Sequence, residues 1–354
     1  MLNQRGNGTS HSAPVRVVVD AMGGDYAPHE IVQGAVQALD LGNVAIALVG
    51  DQGPVEAELA RYNVAGKPIK VVPSVGKIGD DEHQVQAMRQ KRQASIVVAT
   101  QVLKSGAADA LVSLGSTGAS MACATMLLGL MEGLERPCIG GPFLGLAPRT
   151  VLVDLGSNVD CRPSLLLSFA ALGSVFARKF LNIENPRIGL LSVGAEDAKG
   201  NRQVQESLRL FRESHLNFVG NVEGNDFFAD RADVVVCDGF VGNILLKYTE
   251  GLGSALLPYL QKQLAHLLPS QVVQRIGNEV WQMTNLPRTM GGPLFGVNGT
   301  VVVGHGSSKA AGVAGAIGTA MRCVEIGLVE GMRQELAALA KGAGAGQQPH
   351  PRGG

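Results

Sequence analysis

Val15-Arg16-Val17-Val18-Val19-Asp20-Ala21-Met22-Gly23-Gly24-Asp25-Tyr26-Ala27-Pro28 is the stretch from which the fold is read. Its β-branched run predicts a buried strand that closes at Asp20. Gly23 and Gly24 allow a tight corner, and Pro28 suits the first position of a helix reaching about residue 39. The unit strand, glycine corner, helix then recurs. Strands are expected at 44–49, 69–72, 108–113, 150–155, 187–193, 217–219, 234–237 and 300–303. Helices are expected at 55–62, 84–105, 118–129, 164–180, 201–214 and 243–250. This alternation indicates an α/β fold with a mostly parallel sheet. Most of the strands end in Gly, Asp or Ser, the chemistry found where ligands meet the carboxyl ends of parallel strands.

Residues 252–281 break the rhythm. Pro258 and Pro269 are expected to cut this stretch into short helices, with Leu260, Leu264, Leu267 and Leu268 on one side, opposite Lys262, Ala265 and His266. An amphipathic helical hairpin results, suited to packing on the domain, to a dimer contact or to a membrane surface. The chain of 354 residues shows no internal repeat or linker, so one α/β domain is expected over 15–340, between disordered polar tails at 1–14 and 341–354.

Composition narrows the function. Hydrophobic residues make up 45% of the chain but aromatics only 4%, so the core is aliphatic. Thirty basic and thirty acidic residues cancel, which argues against a general nucleic-acid binder. Cys123, Cys138, Cys161, Cys237 and Cys323 form no CxxC or zinc spacing and read as buried, reduced thiols of a cytoplasmic protein. No apolar run has the length of a membrane-spanning helix.

Five corners carry candidate chemistry. At the first, Asp20, Gly23, Gly24 and Asp25 bring backbone N–H groups toward an anion at a helix start. The second, Ser113-Leu114-Gly115-Ser116-Thr117-Gly118-Ala119-Ser120, offers Ser116, Thr117 and Gly118 as a phosphate or oxyanion cradle, or as a plain helix cap. In the third, Glu196 and Lys199 lie between Gly194 and Gly200, where a lysine can offset phosphate charge. In the fourth, Asp238-Gly239-Phe240-Val241-Gly242-Asn243 through Lys247, Asn243 is either the cap of a helix or an amide donor to a carbonyl turning tetrahedral. Asp238, Gly242 and Lys247 are further candidate substrate contacts there. In the fifth, His305, Gly306 and Ser307 form a polar loop after a strand, where the histidine can orient phosphate, carry a proton or be structural.

These corners in this order resemble the bacterial phosphate acyltransferase family, which makes acyl phosphate for phospholipid synthesis. The matching segments are Asp20-Ala21-Met22-Gly23-Gly24-Asp25, Gly220-Asn221-Val222-Glu223-Gly224, and residues 233–247, and the resemblance spans 15–330. It implies a three-layer αβα sandwich of the isopropylmalate dehydrogenase and phosphotransacetylase type, a protruding helical hairpin at 252–281, a homodimer and peripheral membrane association. It places Lys199 and Asn243 at the reaction centre. It also implies transfer of a fatty acyl group from acyl carrier protein to inorganic phosphate, with no metal and no cofactor. The chain departs from the family pattern at Ser116, where the family has Asn, at Ser157 for Ala, and at Pro293 for a small residue.

For such a reaction, phosphate must be held against an already electrophilic thioester carbon while charge on the carbonyl oxygen is stabilised. No Ser-His-Asp or Cys-His arrangement stands out, so a ternary complex is expected rather than an acyl-enzyme. Arg89, Lys91 and Arg92 form a candidate landing patch for the acidic carrier protein, or a plain solvated face. The rival readings are a phosphotransacetylase-like enzyme using coenzyme A thioesters, a metal-dependent dehydrogenase of the related fold with Asp20, Asp25, Asp154 and Asp238 converging, and a non-catalytic small-molecule sensor.

Overall fold

The computed structural model describes residues 13–345. The expected tails at 1–12 and 346–354 lie outside the described residues. The remainder of the expected C-terminal tail, 341–345, is helical instead.

Along the chain run β1 (Val15–Asp20), α1 (His29–Ala38), β2 (Val44–Asp51), α2 (Gln52–Leu59), β3 (Ile69–Ser74), α3 (Gln84–Gln90), α4 (Ser95–Lys104), β4 (Ala110–Ser113) and α5 (Thr117–Cys123). Next come β5 (Cys138–Pro142), β6 (Val151–Val153), α6 (Pro163–Phe180), β7 (Ile188–Leu191), α7 (Arg202–Glu213), β8 (Phe218–Val222), β9 (Val234–Val236), α8 (Gly239–Leu264) and α9 (Ser270–Thr284). The chain closes with α10 (Leu286–Met290), β10 (Gly292–Phe295), β11 (Thr300–Val303), α11 (Ala310–Glu325) and α12 (Leu328–Ala345).

Among the described residues eleven strands join one sheet, in the order β3-β2-β1-β4-β11-β10-β5-β6-β9-β7-β8. Its layering follows from the valine runs. Val17 and Val19 enter a cluster with Ile31, Ala35 and Val313 of α1 and α11, while Val18 points into the opposite cluster with Ile96 and Leu111. Both faces are therefore buried, and consecutive β-branched residues replace polar–apolar alternation. In the other half, Val234 and Val236 pack with Phe169 and Phe176 of α6, and Val235 packs with Phe227 on the reverse face. Each of these side chains, withdrawn fully from water, contributes about 1.5–3 kcal/mol toward folding. The result is a three-layer α/β architecture.

Three strand pairings are antiparallel: β10 with β11, β10 with β5, and β5 with β6. The group β3-β2-β1-β4-β11 thus runs opposite to the group β6-β9-β7-β8, with β5 and β10 as the seam. Neither seam strand stands out in the sequence, because both are short and rich in Gly and Pro. Gly140 shows why: a Cβ there would lie 2.4 Å from the Phe295 ring.

Two helices differ from expectation. The helix expected over 84–105 is broken between α3 and α4, because the backbone around the break bonds elsewhere. Val75 N–H donates to the Gln93 carbonyl at 2.8 Å, and Ser95 N–H to that of Gly76 at 3.0 Å. Conversely, α8 runs unbroken through Pro258 to Leu264. The carbonyl of Ser254, which loses its usual donor to the proline, sits on an exposed stretch and is open to water. A hairpin of α8 and α9 does form. It is held by close approach at Gly253, where a Cβ would meet Thr284 Oγ1 at 1.9 Å, and at Gly277 against Leu257.

The five cysteines are free and buried, as their spacing predicted. Among the described residues no single helix is long and apolar enough to cross a membrane; only the bent pair α11 and α12 passes by length and composition, and α11 is largely buried in the core.

Candidate active site

A cavity of about 480 Å³ opens at the seam, and corners from both strand groups line it. The first wall comes from the β1 and β4 corners. Asp20, Gly23, Gly24 and Asp25 face Ser113, Gly115, Ser116 and Thr117. The two turns can touch only because both bear glycine: a Cβ on Gly23 would lie 2.6 Å from Gly115 N. Ser113 Oγ donates to Asp20 Oδ2 at 2.8 Å, and Met22 N–H reaches Asp20 Oδ1 at 3.3 Å. Burial pushes the Asp20 carboxyl above its ordinary value against these donors. Ser116 accepts from Ala119 N–H at 3.3 Å and caps α5, so the positive end of that helix faces the cavity. Of the two sequence alternatives for Ser116, the cap is observed, and the residue also lines the cavity.

The second wall is built by α8. Asp238, not Asn243, caps this helix, its Oδ1 accepting from Val241 N–H at 2.9 Å. The helix therefore starts four residues before the asparagine, and the Asn243 side chain is released to the cavity beside Leu246 and Lys247. Gly242 lets α8 cross the end of β6, since a Cβ there would sit 1.8 Å from the Asp154 carbonyl oxygen. Asp154 holds the next corner together. Its Oδ1 accepts from Gly156 and Ser157 N–H groups at 3.0 and 2.9 Å, and its Oδ2 from Asn158 N–H at 2.8 Å. This places Leu155 and Gly156 on the cavity wall, Gly156 with φ +135° against Asn243.

The third wall is the loop after β11. Asp25 N–H donates to the Gly306 carbonyl at 2.9 Å, tying this loop to the first corner. His305 Nε2 lies 3.1 Å from Lys247 Nζ, and its Nδ1 lies 2.9 Å from Ser307 Oγ. Burial, then the Lys247 and Arg288 cations, push His305 below its ordinary value, so the ring is neutral near pH 7. Donors approach both ring nitrogens: the Lys247 ammonium makes Nε2 the acceptor and leaves Nδ1–H to the Ser307 hydroxyl, against the longer approach of the Ser307 N–H to Nδ1 at 3.3 Å. Glu250, behind Lys247, accepts from Lys247 Nζ at 3.2 Å and from Arg288 Nη2 at 3.1 Å.

Of the residues chosen from sequence, Asp20, Gly23, Gly24, Asp25, Ser116, Thr117, Asn243, Lys247, His305 and Gly306 share this cavity. Gly118 packs under Gln84, Ser307 serves His305, and Asp238 and Gly242 shape α8. Lys199 and Glu196 lie exposed on the segment between β7 and α7 and do not line the cavity; the Glu196 carbonyl accepts from Asn221 Nδ2 at 3.0 Å. Arg89 lies at the end of α3, with Lys91 and Arg92 just beyond it, all exposed, and Lys91 is paired with Glu82 at 2.6 Å. Sequence reasoning missed Lys77, Ser95, Ser120 and Gly156 on the wall, and Glu250 and Arg288 behind it. Glu250 was within reach of the pattern, because 243, 247 and 250 share one helical face.

The four aspartates of the dehydrogenase reading do not converge. Asp154 is consumed by its own loop and Asp238 by its helix cap, and among the described residues no three His, Cys, Asp or Glu side chains gather as a metal-binding group.

The sheet order and the cavity at the seam of two strand groups define a three-layer α/β protein whose candidate site lies between them. Solved structures of a phosphotransacetylase from Streptococcus pyogenes (TM-score 0.59, 19% identity, covering 88% of this chain and 94% of that one) and a branched-chain phosphotransacylase from Enterococcus faecalis (TM-score 0.55, 17% identity, 88% and 99%) share the fold. A family model described as "Fatty acid synthesis protein" matches residues 15–330. Curated relatives named phosphate acyltransferase include those of Desulforamulus reducens, 43% identical over 330 residues covering 91% of this chain and 97% of the relative, and Gloeobacter violaceus, 41% identical over 329 residues covering 91% and 97%. The chain belongs to the phosphate acyltransferase family and is an acyltransferase.

Proposed function

We propose that the protein transfers a fatty acyl group from acyl carrier protein to inorganic phosphate, and that the acyl phosphate serves phospholipid synthesis. The observation that carries this reading is the mixed wall of a single cavity. The N-terminus of α5, Lys247, the His305–Gly306 loop and the Asn243 amide stand on it together with Ile139, Leu155, Leu246 and Val303. Phosphate would sit between the α5 end and Lys247, and the apolar residues would take the acyl end of the thioester. A hydrogenphosphate oxygen bonds to the thioester carbon, the carbon–sulfur bond breaks, and the phosphate proton ends on the departing thiolate. Asn243 donates to the carbonyl oxygen as its charge builds. Lys199 belongs to this reading only if the segment between β7 and α7 comes over the cavity.

Carrier protein would dock at Arg89 and Arg92. Along α8, Phe240, Ile244, Tyr248, Leu252 and Tyr259 form an exposed apolar stripe, with Phe240 56% and Tyr248 68% exposed. This stripe supports a homodimer, and Leu267, exposed near the turn of the hairpin, supports peripheral contact with the inner face of the membrane.

The reading is tested by incubating the protein with long-chain acyl carrier protein and inorganic phosphate, measuring free carrier thiol and trapping acyl phosphate with hydroxylamine. Phosphate-dependent thiol release is expected, together with much slower turnover of acetyl-coenzyme A. Preference for the coenzyme A thioester would establish the phosphotransacetylase-like alternative instead.

A further inference from the structure

Glu250 is a charged side chain buried behind the cavity wall, at 4% exposure, and nothing in the reaction as described so far uses it. Its two carboxylate oxygens have different surroundings. Oε2 takes both cations, Lys247 from its own helix and Arg288 from α10. Oε1 is buried, finds no hydrogen-bond partner among the described residues, and lies 3.9 Å from His305 Nε2. A buried acceptor left without a donor is unfavourable, so its retention beside a titratable ring calls for a role. His305 Nε2 is meanwhile occupied by Lys247 at 3.1 Å. An incoming anion that takes over the Lys247 N–H aimed at the ring, with the bond to Glu250 kept, would uncover Nε2, leaving the ring between a proton source and a free carboxylate oxygen.

We infer that Glu250 is a positioning residue for acyl transfer: clamped by Arg288, it fixes Lys247 at the cavity wall and holds one carboxylate oxygen ready for the His305 ring when that ring takes a proton. The inference rests on the phosphate-transfer reading. In the balanced reaction the proton of hydrogenphosphate passes to His305 Nε2, the imidazolium leans on Glu250 Oε1, and the proton then leaves with the thiolate sulfur. The charged groups around the ring are Lys247 and Glu250 from α8, Arg288 from α10 and Asp25 from the first corner. The two cations disfavour the imidazolium, and the two carboxylates favour it.

Glu250→Gln keeps the shape and removes the charge. In the full-length protein, the Michaelis constant for phosphate should rise about tenfold and that for the thioester should stay within about twofold. The acid limb of the rate profile should move to lower pH, because loss of Glu250 leaves Asp25 alone against two cations. The imidazole titration of His305, followed by nuclear magnetic resonance with and without inorganic phosphate, should move the same way. A variant with a lower Tm but an unchanged phosphate constant and an unchanged His305 titration would show Glu250 to be structural and overturn the inference. Should the Gln variant not fold, Arg288→Lys, which loses the Nη2 hydrogen bond to Glu250, is expected to raise the phosphate constant similarly, and an unchanged constant there overturns it equally. The titration needs no turnover. If wild type consumed no thioester while His305 still responded to Glu250, the phosphate-transfer reading would fail and the coupling of the two residues would stand.

Discussion

At the scale of single residues, the site depends on where side chains are released and where they are excluded. Asn243 is free to act because Asp238 has already capped the helix. Asn243→Ala should lower turnover about 100-fold with little change in Tm, the size of losing one oxyanion donor. Unchanged turnover would remove Asn243 from the reaction. Lys199→Ala makes the complementary test. A comparable loss of about 100-fold is expected if its loop closes over the cavity, whereas near-wild-type turnover would leave Lys247 as the lysine that offsets phosphate. Gly242 shows the opposite constraint. Alanine is the better helix former, but its Cβ would fall 1.8 Å from the Asp154 carbonyl. Gly242→Ala should therefore cost about 2 kcal/mol net, overpacking outweighing the gain in propensity, as read by denaturant unfolding.

At the scale of elements, most identities were legible, but the seam strands β5 and β10, the helices α11 and α12, and several boundaries were not. The β1 and β11 strands follow from β-branched runs closed by Asp or Gly and β4 from a short apolar run closed by Ser, whereas no helix was read from the sequence after β11. The break between α3 and α4 follows from no residue at 91–94 that forbids a helix; it exists because Gln93 and Ser95 bond to the loop after β3. Pro258 errs the other way, since a proline on a solvated stretch loses one hydrogen bond without ending the helix. The α3 break also sets the basic patch. Lys91 is drawn back to Glu82, which leaves Arg89 and Arg92 for a partner. Reversing both, Arg89→Glu with Arg92→Glu, should raise the Michaelis constant for acyl carrier protein about three- to tenfold and flatten its salt dependence. An unchanged constant would discard the patch.

At the scale of the whole molecule, burial governs thiol chemistry, and the exposed α8 stripe is the surface proposed for association. Burial raises all of the cysteines, Cys123 and Cys323 to about 12, so almost no thiolate exists at neutral pH. Labelling by a thiol reagent should follow global unfolding, and rapid labelling of the native protein would contradict the packing described. Charging the α8 stripe by Ile244→Glu with Tyr248→Glu should leave a monomer in sedimentation if that stripe joins two copies; an unaltered mass would place the dimer contact elsewhere.

The chain by itself determined the α/β class, the aliphatic core and the glycine-bearing corners, because these arise from local rules: steric freedom at glycine, β-branched preference for sheets, and polar caps at helix starts. Tertiary structure alone decided which corners meet. The two strand groups run in opposite directions, and their packing across the β5–β10 seam brings the corners after β1, β4, β6 and β11 to one cavity while the Lys199 corner stays outside it. It alone also brought Arg288 and His305 to Glu250 and left one carboxylate oxygen unpaired. Contacts between residues 38 and 55 positions apart are set by how elements pack, and no local pattern encodes them.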